Sequence, residues 1–197
     1  MDNQILSNMN ESIKVQYNLL VDRYIKMAWT HKIQEVQADL YIKESIKLKR
    51  WVAIVNALTT TSAIASLFSI FEIDWIVPTL TAVLAAISSY LTFRYKEKSL
   101  EEKALENKKY AAKCRNFRNM YEALLTDIMS GAIAAIKDIV AKREKLEGKE
   151  NELFCGETAP HTTGKAVELA SKALKVNRDS QTTAEEIKAI LPLSLQI

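Results

Sequence analysis

Between Arg50 and Arg94 only two side chains are charged, Glu72 and Asp74, although 26% of the 197 residues are charged overall. The interval divides into two charge-free runs, WVAIVNALTTTSAIASLFSIF (residues 51–71) and WIVPTLTAVLAAISSYLTF (residues 75–93). At about 1.5 Å of rise per residue each makes a helix about 30 Å long, the hydrocarbon thickness of a bilayer. A helix in water keeps a polar stripe, and two successive runs of this length without a charge leave none. They read as two transmembrane helices, with Trp51, Trp75, Tyr90 and Tyr95 near the run ends where amphipathic rings favour the headgroups.

The short acidic turn EID (residues 72–74) forces an antiparallel hairpin, and Asp74 is placed to accept the free N–H groups of the second helix. Lys43, Lys47, Lys49 and Arg50 precede the first run, and Arg94, Lys96 and Lys98 follow the second. Positive charge stays on the cytoplasmic side, so both termini are expected in the cytoplasm. Pro78 falls in the first turn of its helix, where its missing donor costs little.

Four Gly, three Pro and abundant Ala, Lys, Glu, Leu and Ile favour helix over strand elsewhere, so the fold class is an all-α membrane protein. A two-helix transmembrane hairpin (51–93) is expected between long amphipathic or coiled-coil-like cytoplasmic helices. The other regions are an N-terminal amphipathic region (1–50), a helical arm (94–150), a linker (151–164) and a small C-terminal helical region (165–197).

Upstream, Ile13, Tyr17, Leu20, Tyr24 and Met27 form one apolar stripe, which Ile33, Val36 and Leu40 continue past an expected break near Trp29 to His31. Downstream, Cys114, Phe117, Tyr121, Leu124 and Ile128 keep steps of three and four, the seam of a coiled-coil-like contact. The seam meets either the N-terminal helix or a neighbouring subunit; Phe117, Tyr121, Leu124 and Ile128 are the candidate oligomer seam. Gly131 should interrupt this arm and Gly148 should stop it. The C-terminal region reads as two short helices, the second opened by Thr182 with Glu185 in a capping box.

Within the first run Asn56, Thr59, Thr60, Ala63 and Ser66 share a helix face, and Thr81, Ala82, Ala85, Ser88, Ser89 and Thr92 share one in the second. Small and hydroxylated residues serve helix packing in lipid; in an oligomer the same face could line a water-filled pore, Asn56 being its most polar member. The arm also carries NKKYAAKCRNFR, where Lys108, Lys109, Lys113, Arg115 and Arg118 gather around Tyr110 and Phe117. Cations for phosphates beside rings for bases suit a nucleotide or oligonucleotide; a solvated or lipid-facing basic surface is the plainer reading.

The net charge of +3 does not mark a binder of duplex nucleic acid. Cys114 and Cys155 form neither a CxxC pair nor a Cys/His ligand set, and His31 and His161 have no ligand partner at suitable spacing, so no metal or cofactor is expected. No nucleophile elbow, phosphate-binding loop or HExxH motif occurs, so no catalytic residue is assigned and the chain is not expected to be an enzyme.

The Lys-rich amphipathic helix, two short runs separated by an acidic turn, and the charged helix EEKALENKKYAAKCRNFRNMY together resemble the SLATT family over about residues 25–130. The resemblance implies a bacterial inner-membrane, two-span effector of antiphage defence, usually encoded beside a nucleotidyltransferase whose product it senses. It also implies a homo-oligomeric pore or membrane-disrupting assembly in the lipid bilayer. It supplies no catalytic motif, and the chain shows no recognisable fused sensor domain. The alternative is a membrane tether or scaffold that recruits a soluble partner through its helical arms.

Overall fold

The computed structural model describes residues 11–67, 76–155 and 159–174. These form five helices: α1 (Glu11–Leu67), α2 (Ile76–Lys98), α3 (Leu100–Met129), α4 (Ile136–Phe154) and α5 (Gly164–Ala173). No strand occurs among the described residues, so the chain is all-α there. The EID turn with Asp74 and the second C-terminal helix with Thr182 and Glu185 lie outside the described residues.

Two compact units divide the chain, one of residues 1–37 with 106–197 and the other of residues 38–105. In the first, the start of α1 packs with α3 and α4 around a single core. Tyr17, Leu20, Val21, Tyr24, Ile25 and Met27 of α1 meet Cys114, Phe117, Tyr121, Leu124, Leu125 and Ile128 of α3, with Ile139 and Leu146 of α4. The periodicity seen in the sequence is therefore the packing stripe of this unit. No break occurs at Trp29 to His31; α1 runs on for 57 residues. Neither Gly nor Pro is present to stop it, and the Thr30 hydroxyl folds back on the Lys26 carbonyl at 2.8 Å instead of competing for the ladder.

Gly131 does end α3. Its φ of +75° is the left-handed conformation that closes a helix, and the N–H groups of Gly131 and Ile133 return to the carbonyls of Ile128 and Asp127 at 3.1 and 3.2 Å. Gly148 does not end α4, which continues to Phe154. A mid-helix glycine costs only about 1 kcal/mol, and residues beyond it anchor the last turn. Phe154 packs against Tyr110 and Phe117, with ring centroids 5.3 and 5.7 Å away.

The expected linker is tied down as well. Gln37 Oε1 accepts from both the N–H and the hydroxyl of Thr163 at 2.8 Å, and Gln34 Nε2 donates to the Pro160 carbonyl at 3.3 Å. Thr163 caps α5, whose Ala166 and Ala170 are fully buried.

In the second unit α1 and α2 are antiparallel. Lys49 lies over the Tyr95 ring, Asn56 bonds Ser88, and Ser62 bonds Thr81 at 2.8 Å, so the pairing descends α2 as it ascends α1. Leu48, Val52, Val55, Thr59 and Ser62 of α1 line the contact with Thr81, Leu84, Ser88, Leu91 and Tyr95 of α2. Ser99, at φ +40°, separates α2 from α3, a break the arm's helical composition concealed. At this end Glu101 accepts from Ser45 at 3.1 Å and from Lys49 at 2.5 Å.

No helix among the described residues is long and apolar enough to cross a membrane. Charge is absent from residues 51–67 and 76–93, but Asn56, Thr59, Thr60, Thr61 and Ser62 dilute the first and Thr79, Thr81, Ser88, Ser89 and Thr92 the second. The last four residues of the first run, 68–71, are outside the described set.

Candidate functional site

Helix geometry sorts the polar residues of the hairpin into a contact line and a flank. Thr59 stands on the contact line, its hydroxyl turned back to the Val55 carbonyl at 2.8 Å. Ser62 and Thr81 bond across the two helices, and Asn56 Oδ1 accepts from the Ser88 hydroxyl at the edge of the same line. These bonds are interhelical glue. Ala53, Asn56, Thr60 and Ala63 follow at steps of three and four, all exposed, and Pro78, Ala82, Ala85 and Ser89 do likewise on α2. Because both helices are right-handed and run in opposite directions, these two stripes lie on the same side of the hairpin.

The opposite side is large and apolar. Trp51, Ile54 and Leu58 of α1 and Leu80, Val83 and Ile87 of α2 are all exposed by about half. The hairpin thus has one face of alanines, hydroxyls and an amide, and one of bulky hydrocarbon. Of the five first-run candidates, the structure leaves Asn56, Thr60 and Ala63 on the exposed small face and puts Thr59 into the contact. Ser66 is in α1, but its side chain is outside the described ones.

The basic cluster of the arm does not stay together. Lys108, Arg115 and Arg118 lie on one flank of the buried stripe of α3, while Lys109 and Lys113 lie on the other. The rings expected to stack on bases are turned inward: Phe117 is buried in the core and Tyr110 leans on Phe154. An apolar ring at a packing position is worth more against other hydrocarbon than in water, and that overrides the sequence pattern.

What the structure adds is His31. Burial holds its pKa below the ordinary imidazole value; Glu35 opposes this, while Arg118, Arg115 and Lys32 reinforce it. Arg118 Nη2 donates to Asn119 at 3.2 Å, whereas its Nε is buried without a hydrogen-bond partner among the described residues. His31, Arg115 and Arg118, from α1 and α3, are therefore electrostatic neighbours: two guanidiniums, one with a buried unpaired Nε–H, beside an imidazole that burial and those guanidiniums hold toward its neutral form.

The candidate seam residues Phe117, Tyr121, Leu124 and Ile128 are covered by α1 and α4 of the same chain, so their burial needs no neighbouring subunit. Two charged residues missed in the sequence reading belong to this core. The fully buried Tyr121 hydroxyl donates to Glu150, whose other oxygen lies 3.7 Å from Arg23. Burial, with the Glu150 carboxylate adding to it, pushes the Tyr121 phenol well above its usual range. Arg143 donates to Gln16 at 2.6 Å. A signal existed: Ile139, Arg143, Leu146 and Glu150 step by four, three and four, so two charges occupy the apolar stripe of α4. Burial also raises the Cys114 thiol to about 11, which makes it an inert packed group.

The model of the SMODS and SLOG-associating 2TM effector domain family 4 matches residues 17–186, most of the chain. The chain belongs to this SLATT family. Its matched region takes in all of the unit of residues 38–105 and most of the other, wider than the segment whose pattern suggested the resemblance. SLATT membership gives the chain the character of a two-transmembrane effector domain associated with SMODS and SLOG nucleotide-signalling proteins. No curated protein and no solved structure matches this SLATT chain significantly.

Proposed function

We propose that the hairpin spans the bacterial inner membrane and that several copies assemble a gated, non-enzymatic pore that depolarises the cell in antiphage defence. The observation that carries this reading is where the bulky hydrocarbon is exposed. Of the seventeen large hydrophobic residues exposed among the described residues, ten fall between Trp51 and Phe93, on the stretches 51–67 and 76–93 that carry no charge. In water such a surface would drive aggregation; in lipid it is solvated, while the amides past the first turn of each helix are satisfied within that helix. Ser and Thr lower the hydropathy of these helices but close their hydroxyls on their own carbonyls or across the hairpin, which lessens their cost in hydrocarbon.

One hairpin cannot enclose a lumen, so the small face bearing Asn56 and Thr60 is the surface we assign to the pore axis. A nucleotide or oligonucleotide made by a partner nucleotidyltransferase is the proposed signal, received by phosphate contacts at His31, Arg115 and Arg118. The ligand gates only through unequal affinity for closed and open states.

Purified protein in dye-loaded liposomes tests this directly. Ion flux that depends on the protein and is changed by the nucleotide is the expected result; an inserted but inert protein would move the assignment to a membrane tether. Charge reversal at Arg115 and Arg118 should leave basal flux unchanged and abolish the response to nucleotide. A full response in the Arg115→Glu, Arg118→Glu double variant sinks the proposed signal site.

Topology is expected to follow the cations at the two outer flanks of the hairpin. Tags at Met1 and Ile197 should resist protease added to intact spheroplasts. Digestion of either from outside removes the proposed orientation.

A further inference from the structure

Where α1 enters its apolar stretch, one surface carries a cleft lined by Lys43, Ile46, Lys47, Arg50, Trp51 and Ile54. Lys43, Lys47, Arg50 and Ile54 step by four, three and four, so they stand in a single row along the helix. Polarity changes along that row: cations first, then the Trp51 indole, then aliphatic carbon that continues to Leu58. Among the described residues no acidic side chain lines the cleft.

The neighbouring Lys49 shows what pairing looks like in this unit. It bonds Glu101 at 2.5 Å and lies 5.6 Å from the Tyr95 ring centroid. Glu101, first of all, holds the Lys49 ammonium above its ordinary pKa, and Lys49 holds the Glu101 carboxyl below its own. Among the described residues Lys43, Lys47 and Arg50 form no such ion pair. Like charges at these helical spacings repel, so an anion seated among them relieves repulsion as well as making contacts. A soluble anion has no use for the other half of the cleft, because Ile46, Trp51 and Ile54 each expose about half of their surface. Charge and hydrocarbon side by side fit a molecule that has both.

We propose that this row binds the phosphate headgroup of an anionic phospholipid, with the acyl chains lying along Ile54 and Leu58. The site rests on the reading that the hairpin spans the membrane, and it goes beyond the general preference of cations for the inner side by naming which three cations bind lipid and which one does not. Lys43, Lys47 and Arg50 reach up to the phosphate from below the membrane surface, as long basic stems do at an interface. Arg50 offers a planar fork to two phosphate oxygens, and the lysines act as point charges.

The test uses the full chain purified in mild detergent and challenged with phosphatidylglycerol or phosphatidylcholine, retained lipid being counted by native mass spectrometry. Wild type should retain phosphatidylglycerol about tenfold better than phosphatidylcholine. The variant Lys43→Gln, Lys47→Gln, Arg50→Gln should lose that preference, and Lys49→Gln should keep it. Inorganic phosphate and glycerol phosphate in excess should not displace the lipid. Equal retention by the triple variant overturns the site, and displacement by either soluble phosphate makes it a plain anion surface. Flotation with vesicles separates the two levels of the argument: failure to float with either lipid removes the membrane reading and the site together, whereas flotation without a phosphatidylglycerol preference removes the site alone.

Discussion

Replacing Tyr121 by Asp is expected to unfold the unit formed by residues 1–37 and 106–197, not to dissociate an otherwise intact oligomer. The ring is fully buried among Tyr17, Leu20 and Tyr24 of α1, Phe117 and Leu125 of α3 and Ile139 of α4, and its hydroxyl donates to Glu150. An aspartate there deletes the ring and sets a second carboxylate beside the first, with no added cation. Breaking a buried charged contact in this way costs about 3–5 kcal/mol, a large share of the roughly 5–15 kcal/mol that holds a domain together. Leu124→Asp should act in the same direction, since Leu124 belongs to the same core. Tyr121→Phe is the milder comparison: the ring stays, Glu150 loses its donor, and a cost of about 1–3 kcal/mol follows because Arg23 at 3.7 Å remains. Denaturant unfolding monitored by circular dichroism measures all three. A helical, monomeric Tyr121→Asp protein with undiminished stability would return the seam to a contact between subunits.

Thr60→Leu is expected to bring ion flux down to the level of protein-free liposomes, a loss of about tenfold or more, because a ring of leucines in a narrow lumen expels water. The position is chosen for what it does not disturb. Thr60 is exposed and its hydroxyl bonds the Asn56 carbonyl of its own helix, at 2.9 Å, and no residue of α2 among the described residues, so the hairpin contact survives. Asn56→Leu should also close the path, but it removes the acceptor of Ser88 as well and mixes packing with permeation. Leu58→Val, on the bulky face, should conduct like wild type. Normal flux through Thr60→Leu would move the lumen off α1 and make the stripe of Ala82, Ala85 and Ser89 the next surface to vary.

Much of this architecture was legible because it depends on spacing within one helix. Tyr17, Leu20 and Tyr24, and Cys114, Phe117 and Tyr121, were visible as apolar stripes, and they are the stripes that pack. Gly131 was legible for a different reason, since a positive φ is nearly free only for glycine. Gly148 misled because a stop signal weighs about 1 kcal/mol, less than the tertiary anchoring that Glu150 and Phe154 give the turn beyond it. The cluster of Lys108, Lys109, Lys113, Arg115 and Arg118 misled through adjacency: neighbours in sequence lie 100° apart on a helix, so close spacing scatters charges around it.

The sequence by itself determined that this chain is helical, that its charges avoid residues 51–71 and 75–93, and that its stripes need helical partners. Those are properties of composition and period, and no neighbour is needed to state them. Only the tertiary structure decided who the partners are. It closed the seam of Tyr121 and Leu124 within the chain, brought His31 beside Arg115 and Arg118, and buried Glu150 on Tyr121. It also split the polar residues of the hairpin into bonds across the contact and an exposed flank. The physical reason is that a stripe's period fixes the face it occupies, whereas the partner it meets depends on how the turns at Ser99 and Gly131 bring distant segments together, which spacing within one helix does not encode.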